Sequence, residues 1–354
     1  MKLLKPSDYT EIQKMELEDE FFSQPFLMSY SGLNKLLFSP TLFYQHYILK
    51  QRDDVTDKPM VEGKLLHCLL LNPEEFENEF LLMSSDLPSE GPRKILDKLY
   101  EKMKSEEKVL AELTEEDAFK HPYVDIYNDI LEILKEQNLY QSLKTDEQRL
   151  DKMLTVKNMT YLDHKFQAEV KILVDQDMYD FAKTTVDYIK NNHKIMELMG
   201  FVEDSLLTNI EKHNELNLVS LEFDDFPFGL RGIIDNLVVD YNLKEIRIND
   251  LKKTSKSITL FEESIEYYNY WMQAALYAIL IDHIKLTTFG VDYPVVFRFI
   301  VVDPYMQIAP IRISDETLET WKLKLKTKLE EAAFHFKEKD FRLPYKFLRK
   351  EHVI

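Results

Sequence analysis

Glycine is scarce in this sequence: 7 glycines occur among 354 residues, where average usage of about 7% predicts roughly 25. Neither GxGxxG nor GxxxxGK[ST] occurs. Both motifs need glycine where the backbone closely approaches a phosphate group. The scarcity therefore argues against a dinucleotide-binding Rossmann domain and against a P-loop nucleotide hydrolase.

Cysteine and long apolar runs are also lacking. Cys68 is the single cysteine, which excludes an intramolecular disulfide, a CxxC zinc site and a four-cysteine iron–sulfur cluster. No run approaches the roughly 18 apolar residues that a membrane-spanning helix needs. The first residues, MKLLKPSDYTEIQKM, lack the apolar segment of a signal peptide. We therefore expect a soluble, intracellular protein.

Positive charge is in deficit. The sequence has 45 Lys and Arg against 63 Asp and Glu, which gives a net charge of −18. Phosphate contacts rely on Lys and Arg, so this charge alone argues against a nucleic-acid partner. A basic cleft inside an acidic surface is nevertheless compatible with one. The net charge therefore leaves the class of partner open.

The apolar pattern changes along the chain. Up to about Gly200, apolar residues recur mostly at three- and four-residue spacing, which predicts amphipathic helices. Beyond it, segments such as FGLRGIIDNLVVDY and KEIRINDLKKT are rich in β-branched residues and predict strands. A long helix over 260–284, a hairpin around Pro304 and a helix capped by Ser314 are predicted to follow. This order predicts an α/β fold with a mixed sheet.

The stretch INDLKKTSKS contains the first candidate site. Asp250 and Lys252 are two residues apart, so both side chains lie on one face of a strand. If the preceding strand pairs with it antiparallel, Asp235 lies roughly opposite Asp250. Two facing carboxylates need a cation between them, and oxygen ligands suit Mg²⁺ or Mn²⁺. A surface ion pair of little consequence is the alternative for Asp250 and Lys252.

Three further residues are weaker candidates. Gln273 and Tyr277 are four residues apart and share one face of a predicted helix, although that face could simply be core. His67 lies between apolar residues in EGKLLHCLLL. A buried histidine with a structural role is commoner in such a place, but a neutral imidazole also binds metals. Taken singly, each residue has an ordinary structural explanation.

Taken in order, these residues resemble the PD-(D/E)XK nuclease superfamily in its RecB-like branch. The closest resemblance is to RecE-type phage exonucleases of the exonuclease VIII kind and, more remotely, to lambda exonuclease. The similar segments are SYSGLNKLLFSPTLFYQHY, EGKLLHCLLLNPEEF, FGLRGIIDNLVVD, NDLKKTSKS and YWMQAALYAIL. The resemblance implies a restriction-endonuclease-like core, with a mixed central sheet flanked by helices. It also implies three parts: N-terminal helices with the histidine motif (1–83), a mostly helical insertion (84–200) and the catalytic nuclease core (201–354).

The resemblance also implies a role for each candidate. His67, Asp235 and Asp250, with the Leu251 carbonyl, would bind the divalent metal. Lys252 would position the attacking water, help to deprotonate it and offset charge on the phosphate. Residues that would steady the lysine or the phosphate are Gln273 and Tyr277. Residues that would contact DNA are Arg231, Lys253 and Lys256.

The implied activity is a Mg²⁺- or Mn²⁺-dependent DNA exonuclease that acts on double-stranded ends in phage-type recombination. The related enzymes form rings, so a homo-oligomer around DNA is implied. A single-strand annealing recombinase is the implied partner, in the cytoplasm of a bacterial or phage-infected cell and away from membranes. Three alternatives stay open: an endonuclease of the same fold, a catalytically inactive assembly subunit and an acidic DNA mimic.

Overall fold

A computed structural model gives the structure of the protein and describes residues 11–51, 58–83, 87–111, 126–168, 171–202 and 209–349. Within these ranges the chain forms two compact units. The helical unit consists of residues 58–69 and 73–184, and the sheet unit consists of residues 11–51, 70–72 and 185–349. The division into three parts that the resemblance implies remains a prediction.

The described residues form helices and strands in the following chain order. The helices are α1 (Glu11–Phe22), α2 (Tyr30–Phe38), α3 (Pro40–Phe43), α4 (Lys58–Leu71), α5 (Phe76–Glu79), α6 (Glu90–Ala111), α7 (Ile126–Glu136), α8 (Asp146–Met153), α9 (Val156–Ala168), α10 (Gln176–Lys190), α11 (His193–Leu198), α12 (Phe261–Tyr267), α13 (Tyr270–Thr288), α14 (Asp315–Glu338) and α15 (Tyr345–Arg349). The strands are β1 (Leu27–Met28), β2 (Phe80–Leu82), β3 (Ile172–Val174), β4 (Ile210–Ser220), β5 (Gly229–Asp240), β6 (Glu245–Lys253), β7 (Val295–Val302) and β8 (Ile308–Arg312).

A six-stranded mixed sheet forms the centre of the sheet unit. The strands follow the order β1-β5-β6-β7-β8, and β4 also pairs with β5. The β4–β5, β5–β6 and β7–β8 pairs are antiparallel, whereas β1–β5 and β6–β7 are parallel. The predicted α/β class, the mixed sheet flanked by helices and the hairpin around Pro304 are therefore confirmed.

Helix α13 packs against this sheet through small side chains. Ala274, Ala275 and Ala278 are fully buried in the cluster that also contains Ile234 of β5 and Leu325 of α14. Alanine lets the helix backbone come close to the strands, because protein interiors are packed without gaps. The close approach brings the polar side chains of α13 within reach of those on β5 and β6.

Serine side chains begin several helices, among them the helix whose cap at Ser314 the sequence predicts. The Gly32 N–H donates to Ser29 Oγ at 3.2 Å, so Ser29 caps α2. The Thr317 N–H donates to Ser314 Oγ at 3.1 Å at the start of α14. Each serine satisfies one of the backbone donors that a helix leaves without an internal partner.

The predicted single helix over 260–284 is wrong. The chain forms α12 and α13, separated at Tyr268 and Asn269. Asn269 has φ +57°, in the left-handed region that asparagine tolerates better than most residues. Its carbonyl accepts from the Met272 N–H at 2.9 Å and so starts the second helix. The apolar pattern continues across the break, which is why spacing alone did not reveal it.

The helical unit has its own apolar cluster. Fully buried residues of α6 and α7, among them Leu96, Leu99, Ile130 and Leu134, pack together in it. Strands β2 and β3 add a short parallel pair that the sequence did not predict, since three-residue strands are too short to show an alternating pattern. In the part of the chain that the structure describes, every helix is too short or too polar to cross a membrane.

Candidate active site

Asp235 and Asp250 lie on adjacent antiparallel strands of the sheet unit. The β5–β6 ladder ends with the pair Asn236 and Asn249, and the two aspartates are the next residues on either strand. Beyond this pair the Leu251 N–H donates to Asp235 Oδ2 at 2.7 Å, so a side chain replaces the backbone partner. Asp250 is fully buried and Asp235 is almost fully buried. The facing arrangement that the sequence predicted is confirmed.

Glu215 adds a third carboxylate from β4. Its carboxylate oxygen lies within 4.8 Å of an oxygen of Asp235. In the β4–β5 ladder the neighbours Asn214 and Leu216 are paired, whereas Glu215 has φ +48°, a left-handed conformation within a strand. Strained backbone of this kind is common where a side chain is held for function. Three carboxylates therefore lie at one level across three neighbouring strands, and we call them the carboxylate row.

Lys252 lies against the carboxylate row. Its Nζ is 2.6 Å from Asp250 Oδ2, and both side chains are largely shielded from solvent. Burial disfavours the charge on Lys252, but the carboxylates of Asp250 and Asp235 outweigh burial and raise the pKa of the ammonium. In this arrangement Lys252 offers a fixed positive charge and N–H donors. The two-residue spacing places both side chains on one face, as predicted.

Gln273 and Tyr277 of α13 face each other beside the row. Gln273 Nε2 donates to the Tyr277 hydroxyl at 3.0 Å, and both side chains are buried. Burial and the nearby carboxylates of Asp250 and Asp235 raise the pKa of Tyr277 well above its usual value. The side chain is thus a neutral phenol, which can donate a hydrogen bond.

Gly232 on β5 makes room for this tyrosine. A Cβ atom at position 232 would lie 2.7 Å from Cε1 of Tyr277, closer than real side chains allow. The absence of a side chain there lets α13 place the Tyr277 ring directly over the strand. Gly232 therefore helps to position Tyr277, a role that sequence reasoning did not predict.

A row of asparagines lies one residue away on the same three strands. Asn236 Nδ2 donates to Asn214 Oδ1 at 2.9 Å, and Asn249 Nδ2 donates to Asn236 Oδ1 at 2.8 Å. Because successive side chains of a strand point to opposite faces, this asparagine row and the carboxylate row lie on opposite faces of the sheet.

The asparagine row also binds backbone carbonyls. Asn236 donates to the Met199 carbonyl at 3.1 Å, and Asn249 donates to the Leu198 carbonyl at 3.1 Å, both at the end of α11. Carbonyls in the last turn of a helix lack partners within the helix, so these amides satisfy them. Asn236 and Asn249 are fully buried, which makes these bonds costly to lose.

The carboxylate row fits a divalent cation. Glu215, Asp235 and Asp250 offer only oxygen atoms, the ligands that Mg²⁺ and Mn²⁺ prefer. Three like charges at neighbouring register positions repel one another, and Lys252 supplies one compensating charge. A divalent metal ion among the carboxylates would balance the negative charge that Lys252 leaves uncompensated. The donor set therefore suits a hard metal ion.

Two of the predicted metal ligands are not tested by this geometry. His67 lies in α4 within the helical unit and is half-buried. Leu251 contributes its N–H to Asp235, and coordination through its carbonyl remains a prediction. The role of His67 as a ligand likewise remains a prediction.

The basic residues predicted to contact DNA lie in the sheet unit. Arg231 is exposed on β5, and Lys253 is half-buried at the last position of β6. Lys256 is exposed, with its Nζ 3.5 Å from Glu263 Oε2. Their contact with DNA remains a prediction.

Sequence reasoning missed Glu215, yet a signal was present. Glu215 and Asp235 are symmetric about position 225, just as Asp235 and Asp250 are symmetric about the turn near 242–243. The first turn is longer, and a charged residue in the polar strand IEKHNELNLVS does not stand out. Extending the same antiparallel register by one more strand would have found it.

Comparison with known proteins gives a family match and similarity to solved structures. Residues 27–340 match the sequence profile of the PD-(D/E)XK nuclease superfamily. A solved structure of a proposed exonuclease from Eubacterium rectale is similar to this chain, with a TM-score of 0.45 and 11% sequence identity over 99% of this chain and 95% of that one. No curated protein matches the sequence.

Proposed function

Because the chain belongs to the PD-(D/E)XK nuclease superfamily, we propose that it is a divalent-metal-dependent deoxyribonuclease that acts as an exonuclease. One observation carries this proposal: the carboxylate row crosses three adjacent strands, with the Lys252 ammonium 2.6 Å from Asp250. Hydrolysis of a phosphodiester needs a bound cation, an activated water and positive charge near the phosphate. The row and its lysine supply groups for each need.

Glu215, Asp235 and Asp250 would hold the cation, which we propose to be Mg²⁺ or Mn²⁺. The resemblance adds His67 and the Leu251 carbonyl as proposed ligands. When bound, such a cation acts as a Lewis acid toward a phosphoryl oxygen and lowers the pKa of its water.

The protein's own side chains would orient the substrate. Lys252 would place an N–H donor and a positive charge beside the phosphate, where negative charge develops during hydrolysis. Asp250 holds the ammonium in one direction at 2.6 Å. Gln273 orients the Tyr277 hydroxyl. That hydroxyl would donate a further hydrogen bond to an acceptor beside Lys252 or to a phosphate oxygen.

We further propose that the substrate is DNA with a double-stranded end. The segments that resemble RecE-type phage exonucleases support this choice, together with a place in phage-type recombination beside an annealing recombinase. Arg231, Lys253 and Lys256 would contact the DNA backbone, and a homo-oligomeric ring would keep the enzyme on its substrate.

Purified protein with Mg²⁺ or Mn²⁺ is incubated with end-labelled linear duplex and with closed circular DNA. We expect loss of the linear DNA alone, abolished by Lys252→Ala and by Asp250→Ala. Lys326→Ala is the matched control, since Lys326 also pairs with an aspartate, Asp224, at 2.9 Å, and it should cut at the wild-type rate. Cutting of circles would indicate an endonuclease, and no cleavage by folded protein would indicate an inactive subunit.

A further inference from the structure

Two exposed tyrosines lie at the break between α12 and α13. Tyr267 is 79% exposed and Tyr268 is 47% exposed. Their ring centroids are 4.8 Å apart and the rings are nearly perpendicular. Adjoining aromatic side chains that face solvent form a contiguous apolar patch, and such patches are candidate binding surfaces. We call Tyr267 and Tyr268 the tyrosine pair.

The tyrosine pair is continuous with the carboxylate row. The rings of Tyr268 and Tyr270 are stacked, with centroids 5.4 Å apart and an angle of 28°. The Tyr270 ring in turn lies 5.0 Å from Lys252 Nζ. Lys252 pairs with Asp250. Aromatic surface therefore leads without interruption from solvent to the lysine that we propose to act on the phosphate.

The backbone beneath the tyrosine pair is fixed by hydrogen bonds. The Tyr30 hydroxyl donates to the Tyr268 carbonyl at 2.5 Å. Asn269 Nδ2 donates to Asn34 Oδ1 at 2.9 Å, and Trp271 Nε1 donates to Asn269 Oδ1 at 3.2 Å. A surface held in this way pays little ordering entropy when a ligand binds.

Charge around the tyrosine pair does not favour phosphate. Helix α12 carries Glu262, Glu263 and Glu266, and two of these acids have lysines nearby. Lys256 lies 3.5 Å from Glu263, and Lys324 lies 3.8 Å from Glu266. Attraction of the DNA backbone is therefore weak here. Stacking of a base on an aromatic ring needs no positive charge, so the surface suits bases better than phosphates.

We infer that the tyrosine pair is a stacking subsite for unpaired bases of the DNA strand whose phosphate lies at Lys252. The bases of an intact duplex are covered by their neighbours, whereas bases of a single-stranded segment expose their faces to aromatic side chains. This inference rests on the proposed nuclease function. It adds a preference for a single-stranded segment next to the cleaved bond, and it gives a protein of net charge −18 a source of affinity other than charge.

The test compares binding of a labelled single strand with binding of a blunt duplex, by fluorescence anisotropy. Ca²⁺ replaces Mg²⁺ so that the DNA is not consumed. The variants are Tyr267→Ala, Tyr268→Ala and Tyr267→Phe. Tyr188→Ala is the matched control, because Tyr188 is also a tyrosine of the sheet unit and is also 47% exposed. Thermal melting followed by circular dichroism checks that each variant is folded.

We expect each alanine variant to weaken single-strand binding about fivefold or more. Blunt-duplex binding should stay unchanged. Tyr267→Phe keeps the ring and should bind like wild type, as should Tyr188→Ala. The loss should persist at high salt, because stacking is not screened. A 2-aminopurine base near the strand end should lose fluorescence on binding wild type and lose less on binding Tyr268→Ala.

Equal single-strand affinity of wild type and both alanine variants would overturn the subsite. Equal losses for single strand and blunt duplex would also overturn it, because the pair would then be a general DNA contact. A change of oligomeric state by light scattering, without a change in DNA affinity, would instead make the pair a protein contact. Wild-type protein that neither binds nor cuts DNA would overturn the proposed function itself, whatever the variants do.

Discussion

The two faces of strands β4, β5 and β6 bury polar side chains in opposite ways. On one face the Nδ2 groups of Asn236 and Asn249 donate to neighbouring asparagine oxygens and to the carbonyls of Met199 and Leu198. On the other face the carboxylate row places like charges side by side, with Lys252 as a compensating charge. Neutral, satisfied groups stabilise a fold, whereas adjacent like charges oppose it.

The difference indicates separate roles for the two faces. The face with the asparagine row stabilises the strand register, and the face with the carboxylate row depends on that register for its geometry. A slip of one residue would exchange the two faces, because side chains alternate along a strand. The linked asparagines Asn214, Asn236 and Asn249 disfavour such a slip. They thereby keep Glu215, Asp235 and Asp250 at neighbouring register positions, although the asparagines themselves lie on the opposite face of the sheet.

Exchanging charge between the faces gives the largest expected effect. Asn236→Asp keeps the size of the side chain but removes its two donated hydrogen bonds. It also buries a negative charge that keeps the Asn249 Nδ2 donor but has no compensating positive charge from the asparagine row. We expect the free energy of unfolding to fall by about 3–5 kcal/mol at neutral pH. Urea unfolding followed by circular dichroism measures it. A variant as stable as wild type would show that the asparagine row does not hold the strands.

Asp235→Asn makes the reverse exchange. The amide oxygen can still accept from the Leu251 N–H, and one of three neighbouring negative charges is removed. We expect cleavage of linear duplex to fall by at least about a hundredfold, while the urea midpoint stays level or rises. A marked fall in the midpoint would mean that the carboxylates stabilise the fold, contrary to the contrast between the faces.

Gly232→Ala perturbs the charged face without changing charge. The new methyl group would meet the Tyr277 ring at 2.7 Å and displace it. We expect a loss of about 1–3 kcal/mol in stability and a fall in cleavage rate beyond the loss of folded protein. Gly63→Ala is the control, because a Cβ there meets nothing within 4 Å. Wild-type cleavage by Gly232→Ala would show that the position of Tyr277 does not matter.

The buried imidazole of His335 is a further neutral group that, like the asparagine row, resists acquiring charge. Its contribution to the pH dependence of stability is the smallest effect that we expect. Burial lowers its pKa, against the raising influence of its Asp340 carbonyl partner and of Glu331. The folded state thus resists protonation more than the unfolded state does. Stability is full above the usual histidine pKa of about 6.5 and falls as pH drops from there through the lowered pKa. Urea midpoints at pH 7 and pH 5 should differ less for His335→Gln than for wild type.

The sequence allowed one half of the carboxylate row to be predicted and not the other. Asp235 and Asp250 flank a short turn, so their pairing follows from counting residues. The segment between β4 and β5 has no turn motif that fixes its length, and Glu215 adopts a left-handed conformation that its residue type does not indicate. Antiparallel pairing could therefore be counted directly across the shorter connection, whereas across the longer one Glu215 could be found only by extending that register into the polar strand β4.

The asparagines show a second limit of sequence reasoning. Asparagine is disfavoured in strands, so Asn236 and Asn249 look like weak points of β5 and β6. Their value depends on partners in other strands and in α11, which are distant in sequence. Local periodicity can find the strands, but it cannot tell a satisfied buried amide from an exposed one.

The end of the β5–β6 ladder at Asn236 and Asn249 has a consequence for access. Beyond that pair β5 continues with β4 and β1, whereas β6 continues with β7. The sheet therefore divides into two branches, and the carboxylate row lies where they part. A ligand that enters between the branches breaks no backbone-to-backbone bond of the β5–β6 ladder and has to displace the Leu251 N–H from Asp235 Oδ2. The parting of the strands thus gives a route of approach to side chains in the middle of the sheet.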